Sequence, residues 1–184
     1  MKIAHLPNKE IETVNLWLRR PLSDDVVSLR QLCKDEIVRQ FLGGVFSDEI
    51  IDRKIAFLID HWAQHGFGQW VVCGRELQVA GICGLHHSED GIELSYMFFP
   101  IFWGRGWASE AANACLDFGF NILKLQSIIA ITQEANQKSC HLLEKTGMHH
   151  KANLSRFNAP QRLYELKQDE WVAAKRVKKD CCAY

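Results

Sequence analysis

The sequence holds few prolines, methionines and tyrosines, with 4, 3 and 3 of them in 184 residues. So few prolines exclude a proline-rich linker or a polyproline tract. Charge of either sign in excess is also missing, because 22 basic residues balance 22 acidic ones. A basic field over the whole molecule, the footprint of a nucleic-acid binder, is therefore not expected. No apolar run reaches the roughly 18 residues that a membrane-spanning helix needs. The opening stretch MKIAHLPNKEIETVN lacks the apolar middle of a secretory leader, which sets the expectation of a cytoplasmic protein. Paired CxxC spacing is absent as well, so neither a zinc ribbon nor a dithiol redox motif is expected.

What is present is a globular composition, with 47% hydrophobic residues, enough for a core in one ordinary domain spanning 1–184. There is no internal repeat, low-complexity tract or interdomain linker. The seven cysteines are Cys33, Cys73, Cys83, Cys115, Cys140, Cys181 and Cys182. Their number is odd, and five fall inside apolar-periodic segments, which reads as reduced, mostly buried thiols.

Residues 14–20, VNLWLRR, read as a strand closed by Pro21. A helix is expected next, with Ser23 as N-cap, Val26, Leu29, Leu32 and Cys33 at helical spacing, and Gly43 and Gly44 as the break. Ser47 offers a second N-cap, Ile51, Ile55, Leu58 and Trp62 form an apolar stripe, and Gly66 marks the stop. GQWVVCG, LQVAGICGLHH and GIELSYMFF, separated by short turn signals, predict an antiparallel meander. A helix from about 106 to 121 places Ala108, Ala111, Cys115, Phe118 and Ile122 on one face. QSIIAITQ is an almost wholly apolar strand, as expected near a sheet centre. NQKSCHLLEKTG is a helix with Asn136 as cap and Gly147 beyond its end. MHHKANLSRF and QRLYELK predict a last hairpin, and DEWVAAKRVKK a short final helix. The order β-α-α-β-β-β-α-β-α-β-β describes a single α+β domain.

The stretch that carries chemistry is MFFPIFWGRGWASEA, residues 97–111. A strand stops there and an alanine-rich helix starts, with Gly104 and Gly106 between them. Unpaired backbone N–H groups and the positive end of a helix dipole make such a junction an anion site. The two glycines remove side chains that would keep a phosphate away, Ala108 keeps the next approach close, and Arg105 either adds a charge or points into solvent. A Walker A loop needs GxxxxGK[ST], which is absent. A dinucleotide fingerprint needs a third glycine early in a βαβ unit, and GRGWAS has neither. A loop for the diphosphate of an acyl-CoA is the remaining possibility, alongside a plain tight turn.

Two longer motifs then carry a resemblance. ELSYMFFPIFWGRGWASEA, from Glu93 to Ala111, and NQKSCHLLEKTGM, residues 136–148, resemble the paired motifs of the GNAT superfamily of N-acetyltransferases. They are most similar to the Rim-type branch, which acetylates ribosomal-protein N-termini. The resemblance covers roughly residues 14–168. It implies a mixed, mostly antiparallel central sheet of about seven strands with helices on both faces. It also implies acetyl-CoA as cosubstrate without a metal, and direct transfer to a primary amine, either a protein N-terminus such as a ribosomal protein's or a small amine. The diphosphate would lie on the loop matching Trp103, Gly104, Arg105, Gly106, Trp107, Ala108 and Ser109. Backbone groups along Met97, Phe98 and Phe99 would pair with the pantetheine arm as an added strand, and an N–H near Met97 or Phe98 would polarise the thioester carbonyl. Asn136 matches the position whose side chain contacts pantetheine.

A thioester is already activated, so the chemistry needs a base for the amine, a donor for the oxyanion and a proton for the leaving thiolate. Glu93 is the candidate base, because strand alternation turns it away from Ile92, Leu94 and Tyr96. The alternative is a solvent-facing or hydrogen-bonded strand glutamate. Ser139 matches the proposed acid of this branch, or simply satisfies a first-turn N–H. Tyr96 either lines the cleft or sits in the core with one hydrogen bond. Leu143 occupies the place where many superfamily members carry a tyrosine acid, which excludes that acid here. Ser95 stands in place of a usual glycine and Met148 in place of an aromatic. The histidines show no trusted metal spacing. Adjacent Cys140 and His141 point about 100° apart on a helix, one buried and one exposed. The CCAY ending is a poor prenylation box. The rival readings are a non-catalytic CoA-binding or interaction module with the same fold, and an enzyme of nucleotide phosphates. The oligomeric expectation is a monomer or homodimer.

Overall fold

The computed structural model describes residues 4–5 and 9–180, and side chains for residues 9–174. Two two-residue strands, β1 (Ala4–His5) and β2 (Ile11–Glu12), lead into β3 (Leu16–Arg19). Helices α1 (Val26–Lys34), α2 (Glu36–Arg39) and α3 (Asp48–His65) follow. The meander is β4 (Gln69–Gly74), β5 (Val79–Ser88) and β6 (Gly91–Phe98). Then come α4 (Trp107–Asn121), β7 (Ser127–Gln133), α5 (Gln137–Lys145), the hairpin β8 (His149–Arg156) and β9 (Ala159–Lys167), and α6 (Gln168–Asp180). All nine strands among the described residues form one sheet in the order β1-β2-β3-β4-β5-β6-β7-β9-β8. Seven of these strands have four or more residues, the number expected; the two short ones extend the β3 edge.

The sheet is antiparallel except where β6 meets β7, and there the two parallel strands share a single bridge, Glu93 to Ile129. Beyond it they part. Alternation along each strand feeds two cores. Trp70, Val72, Cys83, Leu94 and Phe98 join Ala111, Cys115 and Phe118 of α4. Val71, Cys73 and Ile82 join Leu29, Leu32 and Cys33 of α1 and Ile51, Ile55 and Leu58 of α3. Helices therefore cover both faces.

Three local expectations are corrected. The first helix does not start at Ser23: residues Ser23–Asp25 form one 3-10 turn. The carboxylate of Asp25 accepts the Leu22 N–H at 2.7 Å and holds Arg19 through two 2.7 Å bonds. A buried ion pair thus does the work assigned to a serine cap. That helix also does not run unbroken to Gly43. Asp35 leaves helical geometry and caps α2, accepting from Ile37 N at 2.9 Å and Val38 N at 3.0 Å. Ile122, expected on the buried face of α4, is its C-cap and stands exposed. Asn136, Ser47 and Gly66 take the cap positions expected of them. Cys181, Cys182 and Tyr184 lie outside the described residues.

Candidate active site

Where β6 and β7 part, a cleft of about 780 Å³ opens between them. Its walls are Glu93 to Phe98 of β6, Ala130 to Thr132 of β7, the Trp103–Ser109 loop except Arg105, α5 with its approach from Ala135, and α2 with the loop after it. Most residues singled out in the sequence meet here.

The loop positions follow from backbone geometry. Gly104 has φ +75 and Gly106 φ +78, where L side chains are strained, and a Cβ added at either would meet nothing within 4 Å. The space beside both is open. Gly106 is also the N-cap of α4, so the first N–H groups of a 15-residue helix face that space. Trp103 donates its indole N–H to Phe98 O at 2.8 Å, tying the loop to the end of β6. Arg105 does not line the cleft. Its guanidinium lies 5.5 Å from the rings of both Phe102 and Trp107, which stack at 5.1 Å. Lys138 brings an ammonium to the cleft wall, over the Trp103 ring. Phe99 lies outside the lining.

The β5–β6 ladder decides which backbone groups face the splay. Phe99 N–H bonds to Ala80 O at 3.0 Å, and hydrogen bonding alternates along an antiparallel pair. Met97 and Ser95 therefore also turn their main chain toward β5. Tyr96 and Phe98 turn theirs toward β7, so Phe98 rather than Met97 presents an N–H to the cleft.

Side chains divide between the faces of β6. Tyr96, with Leu94 and Phe98, lies on the α4 and α5 side. Its hydroxyl is 2.7 Å from Ser139 Oγ, a bond that joins two residues considered separately in the sequence. Burial pushes the Tyr96 phenol above its ordinary range, against the Ser139 hydrogen bond, so it stays protonated. Asn136 Oδ1 accepts the Ser139 N–H at 3.2 Å, which caps α5 and leaves the amide nitrogen as the donor available to a ligand. Cys140 is buried and His141 exposed, as adjacent helix positions require.

Glu93 lies on the opposite face, the side of α1–α3, with a side chain only 17% exposed. Burial pushes its carboxyl up to about 7, outweighing the Ser88 hydroxyl and the charge of Arg156. Sequence reasoning missed its surroundings. Gln69 Nε2 donates to Ser95 Oγ, and Ser95 Oγ lies 3.3 Å from His86 Nδ1. With Gln69 as donor, the serine hydrogen goes to Nδ1 and leaves the imidazole proton on Nε2. That nitrogen lies 4.0 Å from Glu93 Oε2. Burial, followed by the neighbouring His61, lowers His86 to about 4, so the contact is a neutral N–H beside a carboxyl rather than an ion pair. The signal was in the hairpin: a turn at Glu89 and Asp90 sets the register that pairs His86 with Glu93.

His61, His65 and His87 bring ring nitrogens within 4.8 Å of one another. Both nitrogens of His61 are already engaged, Nδ1 with Phe67 O at 2.8 Å and Nε2 with the His87 N–H at 3.1 Å. No lone pair of His61 remains for a metal, so the cluster has two candidate ligands, short of a site.

Comparison with known proteins bears on the family and the fold. Residues 15–149 match the family model described as Acetyltransferase (GNAT) domain. The uncharacterised protein YkkB of Bacillus subtilis (strain 168) is 33% identical over 108 residues, 56% of this chain and 63% of that protein, so the chain spans less than two thirds of its length. A GNAT-family acetyltransferase from Bacillus anthracis superposes with TM-score 0.74 at 25% identity, over 87% of this chain and 99% of its own. Spermidine N-acetyltransferase from Vibrio cholerae, solved with CoA and spermine, has TM-score 0.76 at 19% identity, over 87% and 99% of the two chains.

Proposed function

The chain belongs to the GNAT acetyltransferase family, and we propose that it is an acyltransferase that moves acetyl from acetyl-CoA directly to a primary amine in a ternary complex. The observation that carries this reading is the position of Glu93, a carboxyl poised near neutrality at the fork where β6 and β7 separate. In this reading the diphosphate rests on the N–H groups at Gly104–Ser109, Lys138 adds a positive charge nearby, and the pantetheine arm enters the splay. The amine approaches from the α1–α3 face. Its nitrogen attacks the thioester carbon as Glu93, directly or through a water, takes the nitrogen's proton. The Phe98 N–H receives the charge that develops on the carbonyl oxygen. The C–S bond then breaks, the Tyr96–Ser139 hydroxyl pair donates a hydrogen bond to the departing sulfur, and the proton the thiol finally carries is balanced by the one Glu93 took from the amine and releases to solvent. The resemblance of the two motifs to the Rim-type branch keeps a protein N-terminus among the acceptors.

The test is release of CoA thiol from acetyl-CoA across a panel of peptides and small amines. Turnover with at least one amine is expected, and Glu93→Gln should lower kcat/KM about 100-fold or more. CoA binding with no transfer to any amine would favour a non-catalytic module. Preference for ATP or NAD over CoA would remove the diphosphate assignment.

A further inference from the structure

The acceptor end of the cleft is walled by apolar side chains. Ile37 and Val38 come from α2, Phe41 and Leu42 from the loop after it, and Met97 from β6. Ile37 is 56% and Leu42 39% exposed, so apolar surface is held open to solvent in the cleft that Glu93 also lines. The wall is preformed. Asp35 caps α2, and the buried Arg39 clamps the loop by donating to the carbonyls of Gly44, at 2.8 Å, and of Leu42. The charges in the cleft are equally lopsided. Glu93 is the single carboxylate among its described lining residues, whereas the cleft's two lysines, Lys138 and Lys145, stand on α5.

From this wall and this charge census we propose that the acceptor is a primary amine bearing an apolar group close to its nitrogen and no second cation. Free apolar amines and peptides with a large apolar first residue share that chemistry. The inference rests on the acetyl-transfer reading above and narrows it. Glu93 can take up one amine as its base but offers no partner to a second ammonium, and an unpaired charge against apolar walls is disfavoured. The apolar group, by contrast, covers Ile37, Phe41 and Leu42, and each methylene so buried is worth about a factor of four in binding.

The decisive pair is hexylamine against 1,6-diaminohexane, equal in reach and differing by one cation. The protein should acetylate hexylamine with a kcat/KM at least tenfold higher, and activity should rise along the series from ethylamine. Tetrapeptides beginning with Phe or with Asp separate a peptide acceptor from a free amine. Leu42→Asp, an exposed substitution that supplies the missing carboxylate, should move the ratio tenfold toward the diamine. Equal or better use of 1,6-diaminohexane or spermidine by the unaltered protein would overturn the proposal. Binding of N-hexylacetamide and N-acetyl-1,6-diaminohexane to the CoA-loaded protein separates the two levels. A tenfold preference for the former without turnover upholds the selectivity and removes the catalytic reading, whereas no preference removes the selectivity.

Discussion

At the scale of single residues, the pH behaviour of Glu93 follows from its burial. Its carboxyl is raised from 4.5 to about 7 by burial. Activity should therefore climb with pH along a limb centred near 7, because only the carboxylate accepts a proton. The same shift acts on stability with the opposite sense. The folded protein holds this proton more tightly than the unfolded chain does, so stability falls between pH about 4.5 and 7 and is level above. Glu93→Gln should lack that fall. Urea titrations at pH 5 and pH 8 should show the variant gaining on the native protein at the higher pH by something on the order of 1–3 kcal/mol. Ser95 tests the surroundings of the same group. If it orients the His86 N–H toward the carboxyl, Ser95→Ala should shift the activity limb to higher pH by several tenths of a unit and leave the KM for acetyl-CoA unchanged. An unshifted limb would reduce Ser95 to a strand filler. Glu93 was legible from strand alternation. Its raised pKa was not, because burial depends on α1–α3 closing over that face, and no spacing in the sequence records that.

At the scale of elements, long periodic segments were readable and short polar devices were not. The stripe Ile51, Ile55, Leu58 and Trp62 is buried as its period demands. The break at Asp35 passed unnoticed because one residue that accepts two N–H bonds looks, in sequence, like any acid in a helix. The strand–glycine–helix junction was legible from residue type alone, and the left-handed φ of Gly104 and Gly106 with open space beside them is what the proposed diphosphate site uses. It yields a sharp substitution. Gly106 sits at φ +78 with open space beyond, so Gly106→Val both strains the backbone and fills the space proposed for the phosphate. The variant should fold with a loss of about 1–2 kcal/mol and should lose CoA binding by far more than that strain accounts for, read as Kd by isothermal calorimetry. The last hairpin offers a change in the other direction. Its turn places Phe157 and Asn158 at φ +53 and +54, and Phe157 is 81% exposed. Two positive φ values are those of a type I′ turn, which Asn-Gly adopts without strain. Phe157→Asn combined with Asn158→Gly should stabilise the protein by about 1 kcal/mol in urea titration.

At the scale of the whole molecule, one bridge joins two antiparallel halves. β1 to β6 form one ladder, β7, β9 and β8 another, and the single Glu93–Ile129 bridge links them. Spacing alone does not locate the fork, since QSIIAITQ reads as a central strand and a central strand is expected to pair along both edges; the resemblance does, because it implies that the strand at Tyr96–Phe99 splays from QSIIAITQ and leaves an edge for an added strand. Here the β6 edge of β7 is left open past Ile129, and an extended ligand arm is the natural partner for it. A ligand that bonds to both strands adds cross-links between the halves that exist only in the folded state. Saturation with CoA at about 100 times its Kd should therefore add about 2.7 kcal/mol to unfolding, read as a rise in Tm that grows with CoA concentration. The distribution of that gain is the informative part. Amide hydrogen exchange should slow most at Tyr96 and Phe98 and along Ala130 to Thr132, on either side of the fork, and least in β3 and β4. A Tm rise with protection confined to the α4 N-terminus would mean that the diphosphate is held but the arm does not bridge the sheet.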